Sequence, residues 1–167
     1  SCMSHKISLN GIFEKPRKLV TNCIENICRA ITANPDSKIK LILMSTTAFR
    51  NVQKEEKYGL RDRMVLSILY YLLPPQKDNV EAGLYLPYTI GTENNQIEWV
   101  IVRPDTLIDE GWVSEYEIHQ SPKRSPVFDS GETSRINVSA FMVNLLRDNK
   151  LWSQWRFKMP VLYNSKR

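Results

Sequence analysis

Apolar positions along the chain alternate between helical and strand-like spacing. From Pro16 to Ala33, residues Val20, Cys23, Ile24, Ile27 and Ile31 recur at helical intervals, which predicts an amphipathic helix. Pro16 suits its first turn, and Asn34, Pro35 and Asp36 end it. Residues 39–44 follow as a short apolar run of strand length that stops abruptly at the hydroxyls of Ser45, Thr46 and Thr47. A second helix is predicted near Gly59–Leu73, with Leu60, Met64, Ile68, Tyr71 and Leu72 as its apolar stripe and Pro74 and Pro75 as its stop. A weaker helical segment lies near Asn79–Tyr85.

Residues 97–102 read as another buried strand, closed by Arg103 and Pro104. Residues 105–133 are rich in loop signals, with Gly111, Pro122, Pro126 and Gly131. A third helix is predicted over Arg135–Asp148, presenting Val138, Phe141, Met142, Leu145 and Leu146, and residues 159–163 form a last short strand. Helices alternating with continuous apolar strands predict an α/β fold, a parallel sheet of three strands with flanking helices. We read residues 1–167 as a single domain, with 105–133 as a loop-rich, substrate-side insertion. In such sheets ligands bind beyond the carboxyl ends of the strands. Ser45–Thr47 and Arg103–Thr106 both fall there.

Composition narrows the function classes. Lys and Arg total 23 against 18 Asp and Glu, a net charge of +5. Residues 1–63 carry 12 basic and 6 acidic side chains, yet these are dispersed singly, a pattern that argues against a nucleic-acid partner. No apolar run approaches the ~20 residues of a membrane span. The three cysteines (Cys2, Cys23 and Cys28) form no Cys-x-x-Cys pair, which speaks against a disulfide framework or zinc site and for a reducing, cytoplasmic setting. His5 and His119 have no carboxylate or cysteine at ligand spacing, so no metal site is expected.

Leu41–Thr47, Ile97–Leu107 and Ser134–Met142, in that order, resemble the C-terminal half of an atypical short-chain dehydrogenase/reductase of the NAD(P)H-binding, NmrA-like kind. Trp152–Trp155 and Met159–Tyr163 are similar to the close of such chains. The resemblance implies a Rossmann-like fold, NAD or NADP as cofactor, and hydride transfer to a small carbonyl or related substrate. It assigns Ser45, Thr46 and Thr47 as catalytic hydroxyls. Met3, Ser4, Ser45, Arg103, Pro104, Thr106 and Leu107 become cofactor contacts, with the backbone of Arg103–Pro104 near the carboxamide. Trp112 and Tyr116, in the long loop, are placed near the substrate.

Two family features are missing. The six glycines (11, 59, 83, 91, 111 and 131) form no Gly-x-Gly-x-x-Gly turn, the element that cradles a pyrophosphate at a helix N-terminus. By resemblance, residue 1 aligns near the end of the family's fourth strand, so the chain reads as a fragment that requires its N-terminal half or self-association. No tyrosine is followed four residues later by lysine, so an acid–base tyrosine activated by lysine is not supported. The alternative reading is a non-catalytic nucleotide-sensing or protein-interaction module of the same fold. Ser45–Thr47 would then only satisfy turn backbone, Arg103 would pair with Asp105 or Asp109, and Arg135 and Asn137 would cap their helix.

Overall fold

The computed structural model describes residues 17–34, 36, 38–51, 54 and 56–165. Its elements are, in chain order, α1 (Leu19–Thr32), β1 (Ile39–Met44), α2 (Leu60–Leu72), α3 (Pro74–Tyr85), a π-helical turn (Leu86–Ile90), β2 (Ile97–Pro104), β3 (Thr106–Ile108), β4 (Tyr116–His119), β5 (Glu132–Ser134), α4 (Arg135–Arg147), α5 (Asn149–Trp155) and β6 (Val161–Asn164).

β2 is the axis of the fold because nearly every residue in it is buried. Its alternation sends Ile97, Trp99 and Ile101 to one face and Val100 and Val102 to the other. On the first face these side chains meet Ile24 and Cys28 of α1 and Ala82 of α3. On the second they meet Phe141 and Leu145 of α4 and Trp152 and Trp155 of α5. A parallel strand covered on both sides is mostly apolar, and β2 is so except for Glu98, which is half-buried, and Arg103, whose buried charge is paired.

The main sheet has the order β1-β2-β6-β4. β1 runs parallel to β2 with Ile39 opposite Ile97 and Met44 opposite Val102, and β2 runs parallel to β6 with Arg103 opposite Val161. The expected α/β fold with a parallel sheet is therefore present. The strand count differs: β4 adds an antiparallel fourth strand against β6, and β3 and β5 pair in a separate two-stranded sheet. β3 and β4 lie inside the 105–133 segment and β5 runs one residue past it; each is only three or four residues long, too short to set up a readable alternation.

The capping chemistry also departs from expectation. Ser134, not Arg135 or Asn137, is the N-cap of α4, and its side chain accepts from Asn137 N. Asp148 ends α4 and at once caps α5 by accepting from Lys150 N and Leu151 N, so one predicted helix is continued by a second. At α1, the cap comes from another element. Asp78 of α3 accepts from Val20 N and Thr21 N at 2.8 and 2.9 Å, placing a carboxylate on the positive end of the helix dipole.

Candidate functional site at the strand carboxyl ends

β1 continues past its last residue by backbone pairing to β2: Ser45 N donates to Val102 O at 2.8 Å and Thr47 N to Pro104 O at 3.2 Å. This pairing lays the hydroxyl run beside Arg103 and Pro104 at the carboxyl edge of the sheet. The three hydroxyls have different commitments. Thr47 is 2% exposed and its side chain donates to Asp105. Thr46 Oγ1 accepts from Ala48 N. Ser45 Oγ is a buried polar atom without a hydrogen-bond partner among the described residues. A hydroxyl buried in that state costs about 1–3 kcal/mol.

Arg103 is fully buried. It forms a two-armed pair with Glu56, Nη1 to Oε2 at 2.9 Å and Nη2 to Oε1 at 2.7 Å. Nε and Nη2 also donate to Met159 O, and Nη1 donates to Phe49 O. These contacts engage all three guanidinium nitrogens. Neither Asp105 nor Asp109 is the partner: Asp109 pairs with Arg135 at 2.8 Å on the surface. Glu56 also accepts from Asn51 N, tying the loop after β1 to β2.

Asp105 follows Pro104 and is 8% exposed. Its carboxylate accepts from Gly131 N and from its neighbour Thr106 N, each at 3.0 Å. Burial nonetheless pushes its pKa above the usual carboxylate range, against the opposing pull of those donors. Tyr58 brings its hydroxyl to the same edge, where it donates to Thr47 O at 2.6 Å. Burial first, then the charge of Glu56, pushes that phenol well above its ordinary pKa, so it stays protonated. Sequence reasoning screened Tyr58 only for a following lysine. Its contact with Thr47 spans a loop that carries no periodic signal.

A cleft of about 1250 Å³ opens at β4 and the end of β6, on the other side of β2 from β1, and meets this edge through Gly131, which donates to Asp105. Gly131 and Tyr163 form the wall nearest Asp105, Glu117 and His119 of β4 line it beside Tyr163, and Trp112 lies in its lining, 61% exposed. Tyr116 points the other way, its ring against Phe141 with centroids 6.4 Å apart. Thr106 is exposed, while Leu107 packs toward the α4 core. The structure thus gathers Ser45, Thr46, Thr47, Arg103 and Pro104 at one edge, puts Trp112 in the neighbouring cleft, and turns Tyr116 into the wall between β4 and α4. Met3 and Ser4 lie outside the described residues. Asn137, fully buried, donates to Ser114 Oγ and Asn164 Oδ1, both at 2.8 Å, and so anchors the loop carrying Trp112.

Among the described residues no group of His, Cys, Asp and Glu could hold a metal ion, and no helix is long and apolar enough to cross a membrane. No protein-family model and no curated protein matches the chain. Solved structures do. An oxidoreductase of Lactococcus lactis is similar over 89% of this chain and 55% of its own, at 17% identity and a TM-score of 0.56. A short-chain dehydrogenase/reductase of Veillonella parvula, solved with NADP, is similar over 89% of this chain and 59% of its own, at 11% identity and a TM-score of 0.56. A Rossmann-fold NAD(P)-binding family protein of Shigella flexneri matches over 89% and 58%, at 14% identity and a TM-score of 0.51. The chain spans less than three fifths of the length of each. Identities this low speak to fold alone, and the fold is α/β and Rossmann-like, with a mostly parallel sheet.

Proposed function

We propose that this chain is the C-terminal portion of an NAD(P)-dependent oxidoreductase acting on a small carbonyl or related electrophile. The observation that carries this reading is the unpartnered Ser45 hydroxyl at the carboxyl end of β1, the end of a Rossmann-like sheet beyond which ligands bind. An orphan donor there suits the nicotinamide end of a dinucleotide or the oxygen of an acceptor. The residues present fit that end alone, since the chain has no glycine-rich turn for the pyrophosphate.

When bound, the nicotinamide supplies hydride. Ser45 donates its proton as a hydrogen bond to the acceptor oxygen, and Thr46 stands next to it with a hydroxyl proton still to give. Thr47, tethered to Asp105, fixes the backbone that presents both. Met3, Ser4, Pro104, Thr106 and Leu107 border the cofactor, and Arg103 acts through its backbone because its guanidinium is engaged by Glu56. Trp112 covers the substrate, while Tyr116 shapes the wall behind it.

A second reading, a nucleotide-sensing or interaction module without chemistry, is favoured by Tyr58. Its hydroxyl is donated to Thr47 O and its pKa is raised rather than lowered, the reverse of an activated acid–base tyrosine. The test is to isolate the natural protein, measure its intact mass, and follow NADH and NADPH oxidation against a panel of small aldehydes and ketones. Turnover that Ser45→Ala reduces supports the oxidoreductase. Tight nucleotide binding without turnover on any acceptor supports the sensor.

A further inference from the structure

α2 is docked the wrong way round for an ordinary surface helix. The one residue it buries is an acid, Asp62, which accepts from Ser125 Oγ at 2.5 Å. Its apolar stripe, Leu60, Met64, Ile68, Tyr71 and Leu72, faces outward, with Leu60 75% and Tyr71 80% exposed. Single exposed apolar side chains are ordinary, but five on one face of a 13-residue helix form a patch of the kind that marks an interaction site.

We infer that α2 pairs with α2 of a second copy of this chain, antiparallel across a two-fold axis. The stripe is uncharged and close to self-complementary when reversed. Antiparallel register sets Leu60 against the partner's Leu72 and Met64 against the partner's Ile68. Charge fixes the direction. Arg61 and Arg63 lie in the first turn, the unfavourable end of their own helix dipole. Parallel pairing would bring the two copies' arginines together. Antiparallel pairing puts them by the partner's Tyr71 and the carbonyl end of its helix, where cations are stabilised. The stripe offers on the order of 600 Å² per copy, so a pair buries about 1,200 Å², the lower edge of stable interfaces.

Light scattering of the full chain over a dilution series tests this. The expected mass is twice 19.5 kDa, falling toward one copy on dilution. Met64→Glu is expected to raise the dimer Kd at least about tenfold with an unchanged circular dichroism spectrum. Val143→Glu, at an exposed apolar residue of α4, leaves the Kd as it was. A mixture of Leu60→Cys and Leu72→Cys chains forms a disulfide-linked dimer on oxidation beyond the background of the parent chain, and Leu60→Cys alone does not. A monomer at every concentration, a dimer indifferent to Met64→Glu, or self-linking through Leu60→Cys overturns the proposal.

Discussion

Glu56 and Arg103 grip each other through two hydrogen bonds of 2.7 and 2.9 Å inside the protein, their side chains 2% and 0% exposed. The pair joins the loop after β1 to the carboxyl end of β2, the two segments that build the candidate site. Removing one partner strands the other as a buried charge, so Glu56→Gln is expected to cost about 3–5 kcal/mol in urea unfolding. Arg103→Lys should cost nearly as much, because an ammonium cannot reproduce the planar fork that also serves Met159 O and Phe49 O. A loss under 1 kcal/mol (roughly the scale of a surface pair) in both variants would contradict this.

Gly131 is held against Tyr163. A Cβ there would stand 2.3 Å from Tyr163 Cδ1 and 2.7 Å from Cε1, and the ring is steadied by Lys123 N donating to its hydroxyl. Gly131→Ala is expected to lose about 1–3 kcal/mol by overpacking. Combining it with Tyr163→Ala makes the glycine change itself nearly neutral in a double-mutant cycle by urea unfolding.

Asp105 sets a pH dependence of definite sign. Its folded pKa is raised by burial, so between the ordinary value of about 3.9 and the raised one the folded state holds a proton that the unfolded chain has released. Its contribution to stability is greatest below that window and falls as pH rises through it. Asp105→Asn removes the slope. The urea midpoint of the variant should therefore gain on wild type from about pH 4 to about pH 7. A variant that stays level with wild type over that range would show the carboxyl to be unshifted, and one that loses ground would show it lowered.

Ser45 and Thr47 separate function from architecture. Ser45→Ala deletes a hydroxyl with no partner, so stability should hold or rise slightly, while turnover falls on the order of a hundredfold if that hydroxyl polarises the acceptor. Thr47→Val removes a donor from buried Asp105 and should cost about 1 kcal/mol of stability. Steady-state kinetics beside urea unfolding distinguishes the two. Equal stability losses in both variants would contradict the difference in their surroundings.

The runs 39–44 and 97–102 disclose the two strands because each is a mostly apolar stretch of strand length, and β2, covered on both faces, is buried nearly throughout. The ends of these runs mark where the polar segments 45–47 and 103–106 begin, and pairing of Ser45 and Thr47 to Val102 and Pro104 sets those segments side by side. Contacts between distant segments were not legible. Glu56 and Arg103 lie 47 positions apart, and nothing local marks a loop glutamate as the partner of a strand arginine. α5 was hidden because one residue, Asp148, both ends α4 and starts the next helix. For α2, periodicity revealed an apolar face at Leu60, Met64, Ile68, Tyr71 and Leu72. It could not reveal that Asp62, on the opposite side, is what docks.

Titration of the natural protein with NADH and NADPH, followed by nucleotide fluorescence, tests most directly whether it holds a nicotinamide nucleotide, the claim on which the oxidoreductase reading rests. The account predicts saturable binding of one of them, at one nucleotide per chain, weakened by Ser45→Ala. A folded natural protein that binds neither nucleotide would contradict it.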